Sequence, residues 1–242
     1  MQNALNSVYG KVPYNNFSFA FEGTNQQMPE FLGGDCSYQA EKLAEFLGDS
    51  GQESFFVYST DNCHVAVVAP KNGKIYFMDP LLMHAEPIPV SDLKIGEETI
   101  FPSVDRDEHI KTVLRDDDIL NVVLEKKAEE KYVKIWERDF RLKELKKEIH
   151  PEFKKRTRME IGGKISLHVS NVREGINWRV GMMVFGGDIF VLRSGHGFAC
   201  QKRTPDKFDR QIGEVAKCIS LMPQDLIEIF NKACSMALGQ LF

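Results

Sequence analysis

The 242-residue sequence has no uninterrupted apolar run near the roughly 18 residues that cross a bilayer. Its first residues, MQNALNSVYGKVPYNN, do not join a basic segment to a long apolar one. No membrane partner is therefore expected, and the chain reads as cytoplasmic. Neither C-x-x-C nor H-E-x-x-H occurs, so the paired ligands of a zinc site are missing and no metal is expected. Cysteine is scarce: Cys36, Cys63, Cys200, Cys218 and Cys234 are odd in number and widely scattered, which points to reduced thiols. An excess of positive charge is lacking too. The 31 Lys and Arg against 35 Asp and Glu leave a formal net charge of -4. The Lys-rich stretch from Lys143 to Arg158 alternates with acids and reads as a solvated face, so no nucleic acid partner is expected.

What is present suits a globular chain of one large domain or two to three small subdomains, with 43% hydrophobic and 27% charged residues. Helical spacing of Tyr38, Leu43, Phe46 and Leu47 predicts a helix from Asp35, with Gly48 as its stop. Short Val-, Phe-, Tyr- and Ile-rich runs predict strands at Ser54–Ser59, His64–Ala69 and Ile75–Asp79. Residues 85–118, with prolines at 87, 89 and 102 and the acid run Asp116-Asp117-Asp118, read as irregular. β structure is expected at 119–136, a charged helix at 139–157, and strands from Lys164 to Lys202 with a turn at Gly186-Gly187-Asp188. The end reads as helical, with Thr204-Pro205 and Pro223 as starts and Gly239 as a stop. The fold class is α+β. A helical subdomain (1–50) carries Cys36, a central antiparallel β-barrel-like subdomain (51–160) carries His64 and Asp79, and a C-terminal α/β subdomain (161–242) forms a lid.

Asn72-Gly73 is the pair that two-residue hairpins favour, and it sets a register. Residues equidistant from that turn face each other, which puts His64 opposite Leu81. Asp79 then lies on the same face as His64, at the diagonal spacing of about 7–8 Å that an imidazole and a carboxylate can bridge. Cys63 points to the other face, because side chains alternate along a strand.

A histidine oriented by a carboxylate lacks only a nucleophile. FLGGDCSYQAEKLAEFLG, residues 31–48, delivers Cys36 to the start of a helix. There the dipole and the free N–H groups of the first turn favour a thiolate and can hold an oxyanion. Each element also has a plainer role. A cysteine can be a small buried hydrophobe, a strand histidine a satisfied core residue, the glycines a turn, and Asp79-Pro80 the end of a strand.

Gly33-Gly34-Asp35-Cys36, then His64, then Asp79 fifteen residues later resembles the pattern of the arylamine N-acetyltransferase family of thiol enzymes, whose R-G-G-x-C segment opens a helix. Val12–Phe17 (VPYNNF) resembles that family's I-P-F-E-N segment, and RDF (Arg138–Phe140) with HPEF (His150–Phe153) resembles its D-F…H-P-x-S-x-F region. Leu32 stands where the family has Arg, the Cys-to-His interval is shorter, and Pro80-Leu81-Leu82 replaces a glycine-bearing loop that lines the acyl-donor cleft.

The resemblance implies a cysteine-proteinase-like fold and two-step acyl transfer. Cys36 would be the nucleophile, His64 the base and Asp79 its orienting carboxylate. The co-substrate would be acetyl-CoA or another acyl thioester, and the acceptor a small amine. A thiol hydrolase would use the same three residues with water as acceptor. A binding or regulatory protein on a retired catalytic fold is the third reading.

Overall fold

The structure is a computed structural model that describes residues 1–15, 33–116, 118–151, 153, 165–173, 176–185, 188–193, 212–213, 215–217 and 221–239. Expectations on Asn16-Phe17, Leu32, Glu152, Gly186-Gly187, Cys200, Thr204-Pro205 and Cys218 lie outside these residues. The chain divides into two compact units, Met1–Val8 with Cys36–Thr157, and Tyr9–Asp35 with Arg158–Phe242.

Along the chain come the N-terminal helix α1 (Gln2–Lys11), the two-residue strand β1 (Tyr14–Asn15) and then, in the first unit, α2 (Cys36–Asp49). Its buried positions Cys36, Ala40, Leu43 and Leu47 form the i, i+4, i+7 stripe of an amphipathic helix. The helix stops later than Gly48 suggests. Gly51, at φ +72°, takes the left-handed position, with Gln52 N–H bonded to Leu47 O at 2.9 Å and Gly51 N–H to Gly48 O at 2.8 Å. These are the two bonds of a Schellman cap, and they need the glycine at 51.

Strands β2 (Phe55–Tyr58), β3 (Val65–Lys71), β4 (Lys74–Met78) and β5 (Ile88–Pro89) form one antiparallel sheet in sequence order. The β3–β4 hairpin turns at Asn72-Gly73, both at positive φ, with Lys71 opposite Lys74 and Val67 opposite Met78. That is the expected register, but the pairing ends at Val67–Met78. His64 is not laddered to Leu81, because Pro80, which has no N–H to donate, opens a short 3-10 turn, Pro80–Leu82. β3 is buried along Val65–Ala69. Ala66 and Val68 enter the core with Val57 and Phe77, and α2 also packs against β3.

A second antiparallel sheet, β6 (Glu98–Pro102), β7 (Glu108–Leu114), β8 (Ile119–Ala128) and β9 (Lys131–Arg141), is also in sequence order. Its Phe101, Ile110, Leu120, Val122 and Phe140 close the same core. Three expectations are corrected here. Residues 85–118 are not wholly irregular: β6 and β7 form because Phe101, Ile110 and Thr112 alternate inward along them. Of the helix expected over 139–157, Pro151 and Phe153 are helical and residues 139–150 are not, among the described residues. β9 runs on to Arg141 because Phe140 is wholly buried there opposite Leu120, and Lys146 pairs with Phe56 beyond it. Both sheets are open, so the barrel-like closure expected of this region is not found among the described residues.

In the second unit, β10 (Ile165–Arg173), β11 (Ile176–Phe185) and β12 (Asp188–Arg193) form an antiparallel sheet with β1 at its edge. The C-terminal helix runs from Pro223 to Gly239, at the predicted start and stop. The architecture is mixed α and β with antiparallel sheets.

Candidate functional site

The turn before Cys36 is built around a glycine that no other residue replaces easily. Gly33 sits at φ +67°, and a Cβ there would lie 1.8 Å from the Pro13 carbonyl oxygen. Gly34 N–H bonds Pro13 O at 3.2 Å and Asn15 N–H bonds Gly34 O at 2.8 Å, so this backbone is fixed just before α2 starts. Cys36 is the first residue of the helix and is buried.

His64 leaves a tight turn at the head of β3. Its N–H bonds Ser59 Oγ at 2.9 Å, its carbonyl accepts the Ser59 N–H at 2.9 Å, and Asn62 takes a positive φ of 54°. The ring lies edge-on to Trp136 (centroids 5.2 Å apart) and Phe140 (6.0 Å). Asp79 directly follows β4, and its carboxylate is split between two partners. Oδ2 meets His64 Nε2 at 2.7 Å, and Oδ1 accepts the Leu81 N–H at 3.0 Å. Asp79 and His64 share the face of the sheet that carries Ala66, Val68 and Phe77, as strand alternation requires.

Burial alone would lower the His64 pKa. The Asp79 carboxylate first, then the charge on Cys36, then hydrogen bonds to both raise it from 6.5 to about 10. The imidazole thus holds its proton at neutral pH between a carboxylate and the thiol of Cys36.

Sequence reasoning missed His84, which is fully buried. Its Nε2 accepts the Asp79 backbone N–H at 2.7 Å, and its Nδ1 meets the Glu86 carbonyl at 2.8 Å. A histidine five residues after the aspartate was the only signal for it. Trp136, half-buried over His64, was also missed, because β9 was expected to end there and not to cross the site.

The Pro80–Leu82 turn uses its own amides. Leu82 N–H bonds Asp79 O and Met83 N–H bonds Pro80 O, each at 3.2 Å. With Leu81 N–H on the Asp79 carboxylate and no N–H on Pro80, every amide from 79 to 83 is engaged. A cavity of about 460 Å³ in the same unit, bordered by Tyr58, Asn62, Arg141, Lys146, His150 and Phe153, includes none of Cys36, His64 and Asp79. Among the described residues there is no cluster of His, Cys, Asp and Glu suited to a metal ion, and no helix is long and apolar enough to cross a membrane.

No protein-family profile and no curated protein sequence matches the chain. Solved structures do. The crystal structure of arylamine N-acetyltransferase C from Bacillus anthracis aligns over 90% of this chain and 90% of its own, at 14% identity and a TM-score of 0.50. That of the Nocardia farcinica arylamine N-acetyltransferase aligns over 90% of this chain and 84% of its own, at 12% identity and a TM-score of 0.52. At such identities the likeness concerns the backbone, and on that ground this chain has the fold of the arylamine N-acetyltransferases.

Proposed function

We propose that the protein is an acyltransferase that moves an acetyl or similar group from a thioester donor, through a Cys36 acyl-enzyme, to a small amine. The observation that carries this reading is His64 held between the buried Asp79 carboxylate and the Cys36 thiol at the head of α2. The fold shared with two arylamine N-acetyltransferases supports it.

In the resting site the imidazole of His64 holds a proton beside the sulfur of Cys36. The Cys36 sulfur attacks the donor carbonyl, and the tetrahedral oxyanion is held by the Cys36 N–H at the helix N-terminus. As the carbon–sulfur bond of the donor breaks, its leaving thiolate takes the proton from His64 and departs as a thiol. Neutral His64 then accepts the proton of an amine that attacks the acyl-enzyme, an amide leaves, and the resting site is restored. Asp79 orients the ring and balances its charge in both steps.

Acetyl-CoA is the natural first donor to test. The Pro80–Leu82 turn, its amides already engaged, offers no amide nest for a phosphate. The donor's acyl thioester is therefore the part this site is built to use. A thiol hydrolase remains the second reading, since water can resolve the same acyl-enzyme.

Intact-protein mass spectrometry after mixing with acetyl-CoA or 4-nitrophenyl acetate tests the proposal. One acetyl group on native protein, mapped to Cys36 and absent from Cys36→Ala, is expected. A native protein that stays unmodified, or is acetylated equally in Cys36→Ala, contradicts it.

A further inference from the structure

The Asp79 carboxylate is aimed by contacts on its side chain, yet its backbone is anchored by a side chain the reaction does not use. The carbonyl of Glu86 can only accept, so the Nδ1 of His84, 2.8 Å away, carries a proton and donates it. The Asp79 N–H can only donate, so the Nε2 of His84, 2.7 Å away, carries a lone pair. The ring is thereby fixed as one neutral tautomer, because a proton on both nitrogens would set two N–H groups against each other. Burial lowers the His84 pKa, which agrees with a neutral ring.

The consequence is local and geometric. β4 ends at Met78, and Asp79 belongs to neither the ladder nor the 3-10 turn that it caps. Without a ladder bond, its N–H is held only by His84 among the described contacts. His84 in turn is tied at two points. Its own residue pairs with Ser103 across an isolated bridge, and the Ala85 N–H bonds Pro102 O at 2.9 Å. The ring thus clamps the start of the 79–86 loop to its end, on a base fixed by strand β6.

We propose that His84 is the positioning residue of Asp79, acting as a neutral imidazole that fixes the aspartate backbone and so the carboxylate on His64. For its catalytic consequence the inference rests on the function proposed above; its structural content does not. His84 touches no substrate. It acts through Asp79 on His64, and through His64 on Cys36.

Two substitutions separate positioning from mere filling of space. In His84→Gln the amide oxygen stands near the former Nε2 and can accept the Asp79 N–H. In His84→Asn the shorter amide can satisfy Glu86 but cannot reach Asp79. The readout is the titration of the His64 imidazole followed by nuclear magnetic resonance, with acylation of Cys36 measured in parallel. His84→Asn is expected to lower the His64 midpoint by about one unit or more, the range a neighbouring opposite charge controls. Acylation should slow roughly ten- to a hundredfold, as loss of an outer partner of a functional group does. His84→Gln should stay near the native protein in both, and in an Asp79→Asn background His84→Asn should have no further effect.

A His64 midpoint that is unmoved in a folded His84→Asn protein overturns the inference, as do equal shifts in the Gln and Asn variants. Should His84→Asn fail to fold, the nitrogen-15 shifts of His84 in the native protein decide. Protonation at Nδ1 is expected, and protonation at Nε2 overturns the inference. Neither the midpoint nor the tautomer depends on Cys36 being a nucleophile. A failure of acylation alone with these two as expected would therefore fall on the proposed function and not on His84.

Discussion

His64 Nε2 stands 2.7 Å from Asp79 Oδ2, with the two side chains 6% and 1% exposed. An ionised pair this far from water persists only when each partner has its remaining polar atoms satisfied. Here Asp79 spends its other oxygen on Leu81, and the His64 side chain also hydrogen-bonds Cys36. Asp79→Asn keeps the shape but removes the charge and offers a donor where an acceptor is needed. The variant should fold, and acylation of Cys36 should fall by several orders of magnitude, about 10⁴-fold in a comparable triad. A folded Asp79→Asn protein acylated at the native rate would reduce Asp79 to a cap on the 3-10 turn.

The proton on His64 also ties stability to pH. Its pKa rises from 6.5 to about 10 in the folded protein, against burial, through Asp79 and then Cys36. The folded state thus binds this proton more tightly than the unfolded chain. The stabilisation is complete below about pH 6.5 and is lost as pH rises towards 10. The melting temperature of the native protein should therefore fall more steeply across that window than that of a folded His64→Gln variant. Parallel curves would mean that the pair contributes nothing to stability.

Much of this arrangement was legible because it is local. Asn72-Gly73 set the hairpin register, and strand alternation put His64 and Asp79 on one face. Glycines before a helical stripe marked Cys36. What was not legible depends on contacts distant in sequence. The reach of β9 to Arg141 follows from Phe140 meeting Phe77, His64 and Leu120, none of them near it in the chain. The Gly51 cap won over Gly48 because only the backbone beyond the helix decides which glycine turns left-handed. His84 was silent because a lone histidine in a proline-rich stretch has no period to give it away.

Gly33 tests the turn that delivers the thiol. A left-handed conformation costs a non-glycine residue about 1–2 kcal/mol, and in Gly33→Ala the new Cβ also meets the Pro13 carbonyl. The variant should lose more than about 2 kcal/mol in denaturant unfolding, and Cys36 should alkylate more slowly with iodoacetamide. Native stability and reactivity in Gly33→Ala would show that the turn can relax at no cost.

Phe140 tests the wall behind His64. It is fully buried, with its ring 4.9 Å from that of Phe77 and 6.0 Å from that of His64. Phe140→Ala should cost about 3–5 kcal/mol and lower the acylation rate of whatever remains folded. Phe140→Leu should recover most of the stability. A loss below about 1 kcal/mol in Phe140→Ala would mean that the core collapses around the gap.

The central claim is that Cys36 carries an acyl group meant for an amine. Native protein is acetylated with 4-nitrophenyl acetate, freed of excess reagent, and split between buffer and buffer containing a primary arylamine, hydrazine or alkylamine. The decay of the acetyl-enzyme is then followed by intact-protein mass spectrometry. Slow loss in buffer, and loss accelerated in proportion to amine concentration with the acetylated amine as product, is the predicted result. An acetyl-enzyme that hydrolyses quickly and at the same rate with every amine would contradict the account and identify a thiol hydrolase.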